Sequence, residues 1–241
     1  MTIERKVGMG IAGQPSGATD VAEVFSTDCW AASTTTDSTE TINNGLDLSG
    51  EGGLVWIKNR NEDYDHRLTD TERGVQKQLR TNETAAQNTY TKETVSAFNS
   101  NGFSSTVFQN NKYVSWSFRK KKKFFDIVTY SGNSTSGRTL SHSLGSVPAM
   151  MIFKQTNGTN AWFVYHKDFI KDGAAAPNSA LFLNLADAGD TNAGYFNNTA
   201  PTDSVFTLGN SSGDWGINGS GENYVAYLFA DNSSEDADDQ M

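Results

Sequence analysis

Five segments of this chain return, in the same order, about a hundred residues later. FSTDCW (Phe25 to Trp30) is matched by FDIVTY (Phe125 to Tyr130). The run Thr-Ile-Asn-Asn-Gly-Leu ending at Leu46 is matched by Thr-Leu-Ser-His-Ser-Leu ending at Leu144. LVWIK (Leu54 to Lys58) is matched by MMIFK (Met150 to Lys154), Phe103 by Phe206, and YVSWSF (Tyr113 to Phe118) by YVAYLF (Tyr224 to Phe229). The offsets are 100, 98, 96, 103 and 111 residues, a drift of the kind loop insertions produce. Chance supplies one such pair but hardly five in order, so the expected organisation is two tandem copies of one domain.

Each copy reads as strands. LVWIK and MMIFK are short apolar runs bounded by turn residues, and YVSWSF alternates. Gly, Ser, Thr and Asn make up 93 of 241 residues, which suits turns and polar strand faces, not helix interiors. The 14 Phe, 8 Tyr and 5 Trp supply apolar area for a core. The predicted fold is all-β: two antiparallel β-sandwiches of jelly-roll type, arising by internal duplication. The expected divisions are an N-terminal anchoring arm (1–24), a first sandwich (25–123), a second sandwich (124–230) and an acidic tail (231–241). The basic run 119–123 at the junction is expected to be a solvated linker or a contact for acidic surface.

A net charge of −9 disfavours binding to nucleic acid, which needs clustered cations on a positive domain. No apolar run approaches the roughly 20 residues of a membrane span, so no membrane insertion is expected. The single cysteine, Cys29, excludes a disulfide framework and is expected to be a small buried hydrophobe beside Trp30. Stability must then come from core burial or from self-association.

Residues that carry chemistry are sparse. His66, His142 and His166 are far apart and form no metal-ligand spacing. The loop carboxylates Asp187, Asp190 and Asp214 offer calcium a weak site at best, and no cofactor is expected. Asp63, Asp65, Asp70 and Glu72, followed by Arg73 and Gly74, read as a turn with a surface pair network and not as an acid/base pair. No nucleophile elbow, phosphate loop or dinucleotide fingerprint is present, and the chain is expected not to be an enzyme. The candidate ligand site is the glycine-rich loop SSGDWGINGSGEN. There the indole of Trp215 offers a flat face to a sugar ring, while Asn210, Asp214 and Asn218 offer hydrogen bonds to hydroxyls.

The runs GLDLSGEGGLVWIKNR, DTERG, FNSNGF and YVSWSFRK resemble the first of the paired concanavalin-like (LamG-like) domains of virion proteins of marine tailed bacteriophages, cyanophages especially. FFDIVTYSGN, GRTLSHSLGSVPAMMIFK, WFVYH, APTDSVFTLG and YVAYLFAD resemble the second, and the similarity covers roughly residues 20–231. The resemblance implies a non-enzymatic virion structural protein, made in the host cytoplasm and placed on the particle. A tail fibre or tail-associated appendage touching host surface glycans comes first. A capsid decoration protein and a glycan-degrading enzyme on the same fold are the rivals. The arm would dock on other virion proteins, and the chain is expected to form a homo-oligomer, a trimer preferred.

Overall fold

The computed structural model describes residues 20–187, 189–211 and 216–231. The protein is all-β and sandwich-like. Among the described residues, helical backbone is confined to single 3-10 turns at Val21–Glu23 and Ala176–Asn178. The rest of the expected arm (1–19) and tail (232–241) lies outside the described residues.

Two six-stranded antiparallel sheets dominate. The first runs in the order β1 (Phe25–Ala31), β9 (Lys112–Arg119), β3 (Gly53–Asn59), β4 (Arg67–Asp70), β5 (Lys77–Arg80), β6 (Asn88–Thr89). The second runs β10 (Phe125–Ser131), β17 (Asn223–Ala230), β12 (Pro148–Gln155), β13 (Phe163–His166), β14 (Ser179–Phe182), β15 (Asp190–Thr191). A small sheet, β2 (Ser38–Asn43), β8 (Gly102–Val107) and β7 (Thr94–Asn99), accompanies the first. The pair β11 (Arg138–Ser141) and β16 (Val205–Leu208) accompanies the second.

The two large sheets correspond strand for strand in order, and their registers correspond as well. Leu54 lies between Phe118 and Asp70, as Met150 lies between Phe229 and His166. Among the described residues, strand β7 has no strand counterpart in the second half. One local device also recurs. The Lys58 ammonium donates to the carbonyls of Asn59 and Glu62, and that of Lys154 to the carbonyls of Gln155 and Gly158, at the same sequence spacings.

Alternation along the strands creates three apolar layers. On β3, Val55 and Ile57 join Ile42, Phe103 and Tyr113 beneath the first small sheet. On β12, Met151 and Phe153 join Phe206, Leu208 and Leu228 beneath the second. The opposite faces of the two large sheets meet each other. Leu54, Leu68 and Leu79 pack there with Phe125, Ile127, Val225 and Tyr227. The result is four layers: small sheet, large sheet, large sheet, small sheet. Phe118 and its register counterpart Phe229 touch edge to face across the middle layer, with ring centroids 5.7 Å apart. Burial of each such side chain contributes about 1.5–3 kcal/mol.

The basic junction between the halves is tied down on acidic groups of its own chain. Lys120 pairs with Glu72 at 2.7 Å and Asp126 at 3.5 Å, and Lys121 pairs with Glu23 at 2.9 Å. Arg119 Nε donates to the Glu23 carbonyl. Cys29 is exposed and not buried, because it lies on the outermost strand of its sheet and on the face turned away from the first small sheet. At the first residue of β8, just after the turn from β7, Gly102 has φ +125°, and a Cβ there would lie 2.0 Å from the Ile42 carbonyl oxygen. Only glycine fits that position.

Candidate binding cleft

Of the loop residues singled out in the sequence, the structure describes Asn210 and Asn218. Trp215 and Asp214 lie outside the described residues. Asn210 is exposed just after β16. Asn218 is fully buried: its Nδ2 donates to the carbonyls of Thr135 and Gly209, and its Oδ1 accepts from Asn133 N. Asn218 therefore braces three loops and does not face a ligand. Asp190 accepts the Tyr195 hydroxyl at 2.5 Å, while Asp187 is exposed. His142 is buried and stacked on Phe206, with Nδ1 accepting from Leu144 N and Nε2 against the Thr202 carbonyl. Among the described residues no three His, Cys, Asp or Glu side chains gather as metal ligands. Nor is any described helix long and apolar enough to cross a membrane.

The acidic stretch before Gly74 is only partly a surface network. Asp70 and Arg73 are buried between the large sheets. Arg73 Nε donates to Asp70 Oδ2 at 2.6 Å, and Arg73 Nη1 to Gln87 Oε1 at 2.9 Å. The Tyr227 hydroxyl donates to Asp70 Oδ2 at 2.6 Å and accepts from Arg73 Nη2 at 3.2 Å. Burial pushes the Tyr227 hydroxyl well above the usual phenol range. This triad locks the β4–β5 turn of the first half onto β17 of the second. Further bonds join the halves, among them Trp162 Nε1 to the Arg80 carbonyl at 2.8 Å, Lys154 Nζ to the Thr84 carbonyl at 3.0 Å and Gln87 N to the Thr156 carbonyl at 2.8 Å.

The register counterpart of Tyr227 is Trp116, and that of Asp70 is His166. The lock is not repeated there. Trp116 stays half-buried and packs edge-on against Trp56, with ring centroids 6.1 Å apart. Beside the pair an apolar cleft of about 340 Å³ opens between Trp56 and Phe118 of the first sheet and Met150, Ile152 and Tyr227 of the second, with Trp162, just before β13, also in its wall. Leu183, 41% exposed, stands at its mouth. A recess of about 280 Å³ continues over Trp56, Trp116 and Phe118.

The rim of the cleft is polar where His66, Thr81 and Asn82 meet Trp56. Trp56 Nε1 donates to His66 Nδ1 at 3.0 Å, and His66 N donates to the Asn82 side-chain oxygen at 3.0 Å. Burial, and then the charge of Lys58, hold the His66 imidazole below its usual range, with Asp65 opposing. Neutral His66 with Nδ1 accepting carries its proton on Nε2. The arrangement can stack flat rings on indole while offering a donor at the edge. Sequence reasoning missed Trp56, Trp116 and His66. The available signal was the indole in LVWIK and in YVSWSF, where the second copy has Ile152 and Tyr227.

A family model described as a domain of unknown function, DUF7483, matches residues 23–234. Searches among curated proteins and among solved structures gave no match.

Proposed function

The chain belongs to the DUF7483 family, and we propose that it is a non-enzymatic structural protein of a tailed bacteriophage particle. It stands on the tail as a fibre component or appendage and touches host surface glycans. The observation that carries this reading is the use of buried charge. Asp70, Arg73, Lys154 and Glu93 are each spent on joining elements of the fold. With the two large sheets packed face to face, the chain is built as a rigid block. The resemblance of the ordered motifs over roughly residues 20–231 to paired virion domains supports the setting. The matching strand orders, registers and lysine contacts support descent from an internal duplication.

In this reading residues 1–24 dock on other virion proteins, and copies of the chain associate with one another, a trimer preferred. Assembly takes place in the host cytoplasm. The test is incorporation. Particles purified from complemented infections should contain the full-length chain by immunoblot and should lack a folded version without residues 1–20. Absence of the full-length chain from purified particles contradicts the reading. Normal incorporation of the shortened chain contradicts the role of the arm.

A further inference from the structure

We propose that the cleft beside Trp116 and Trp56 binds an acidic polysaccharide. Pyranose rings stack on the indoles, and the anionic groups are met by Lys112. The proposal rests on the host-contact reading above but moves the contact from the Trp215 loop to the space between the large sheets.

The two halves correspond in their sheets but not along their shared seam. Two sheets of matching order and register pack on each other. Tyr227 closes the seam against Asp70 and Arg73. The corresponding positions hold Trp116 and His166 and form no such lock; Trp116 instead lines an open recess with Trp56, His66 and Phe118, next to the cleft that Tyr227 borders from the other sheet. Trp162 is fully buried, whereas Trp56 and Trp116 keep part of their rings exposed beside this opening. Half-exposed indoles in an open cleft remain hydrated until a flat apolar partner covers them.

The lining selects the partner. A sugar ring has apolar faces and a polar edge. Here the floor is indole and phenyl, and the rim carries His66, Thr81 and Asn82. A lipid tail or an apolar peptide would desolvate those rim groups without replacing their hydrogen bonds. Charge adds a second condition. The chain carries −9, yet the cleft-side face of β1, β3 and β9 bears Lys58 and Lys112 and no acid. Lys112 is exposed, and Arg60 is exposed one residue past the end of β3. On the rim, Asp65 is paired with Arg80 at 3.2 Å. Glu62 and Asp63 are exposed on the loop before His66, and Lys58 Nζ is held beside that loop by the Asn59 and Glu62 carbonyls, which leaves Lys112 as the cation of this sheet face set away from those acids. A polyanion is attracted along the sheet face and its field is screened by salt.

The experiment titrates the tryptophan fluorescence of the full chain with three polymers: alginate as a polyuronate, dextran as a neutral glycan, and an oligothymidylate. Alginate should bind, more weakly as salt rises, with dextran and oligothymidylate well behind. Trp116→Ala should weaken alginate binding about tenfold, as for one lost aromatic stacking contact. Lys112→Glu, an exposed change that leaves the core untouched, should also weaken it. Both variants should remain folded by circular dichroism at the titration temperature, with Lys112→Glu keeping the wild-type melting temperature and Trp116→Ala lowering it modestly through the lost contact with Trp56. Equal binding of dextran and alginate, tighter binding of oligothymidylate, or alginate binding unchanged in both variants would each overturn the proposal. Failure of alginate to bind also overturns it. If the labelled wild-type chain still adsorbs to host cells in that case, the host-contact reading stands and only the cleft is refuted.

Discussion

Tyr227 shows how much one hydroxyl can hold. Its oxygen is shared between Asp70 and Arg73, and all three groups are out of water. Tyr227→Phe removes a hydrogen bond to a charged group and should cost about 1–3 kcal/mol in urea unfolding. Asp70→Ala should cost more, about 3–5 kcal/mol, because it leaves Arg73 buried without its anion. Lys154 makes a separate, pH-dependent prediction. Burial, against carbonyl acceptors only, lowers its pKa from 10.5 to about 8. Between those values the unfolded chain binds more protons than the folded one. Stability should therefore rise as pH goes from about 8 to about 10, by up to about 3 kcal/mol in the full limit. Above about pH 10 the buried tyrosines, whose hydroxyls are pushed up, act in the opposite direction. Unfolding measured across this window should show the rise, and Lys154→Met should flatten it. None of this was legible in the sequence. Asp70 and Arg73 sit beside a turn glycine, and the residue that buries them is 157 positions away.

At the scale of elements, the strands that carry aromatic or β-branched alternation were legible. LVWIK, MMIFK, YVSWSF and YVAYLF all fall within central strands. The Asn-Gly turn before Phe103 was legible too, because a left-handed backbone position there demands glycine. Gly102→Ala combines that strain with a clash on the Ile42 carbonyl and should destabilise the first half by about 1–3 kcal/mol, read from its melting transition. The two-residue strands β6 and β15 gave no pattern, since such short segments follow their neighbours and have no period of their own. The polarity of the first core was equally hidden. Ser115 and Ser117 point inward where the second half has Ala226 and Leu228, and alternation alone does not say which face of a serine-rich strand is covered.

At the scale of the whole molecule, the repeat predicted two similar halves but not that their large sheets would share a middle layer. Leu54, Leu68 and Leu79 looked like core residues of one copy, and only the fold shows that they cover Phe125 and Tyr227 of the other. The same packing explains why the cleft was not legible in the sequence. The glycine-rich loop drew attention through composition, whereas the cleft and its recess need Trp56 of β3 beside Trp116 of β9 and against Met150 and Ile152 of the other half, a juxtaposition that no local pattern announces. The central claim is that this block is a component of a phage particle, displayed on its tail. The most direct measurement is cryo-electron microscopy of intact particles labelled with an antibody fragment raised against the folded chain. The account predicts label on the tail, over density that accommodates the four-layered block. Label confined to the head shell, or particles without label beside abundant free chain in the lysate, would contradict it.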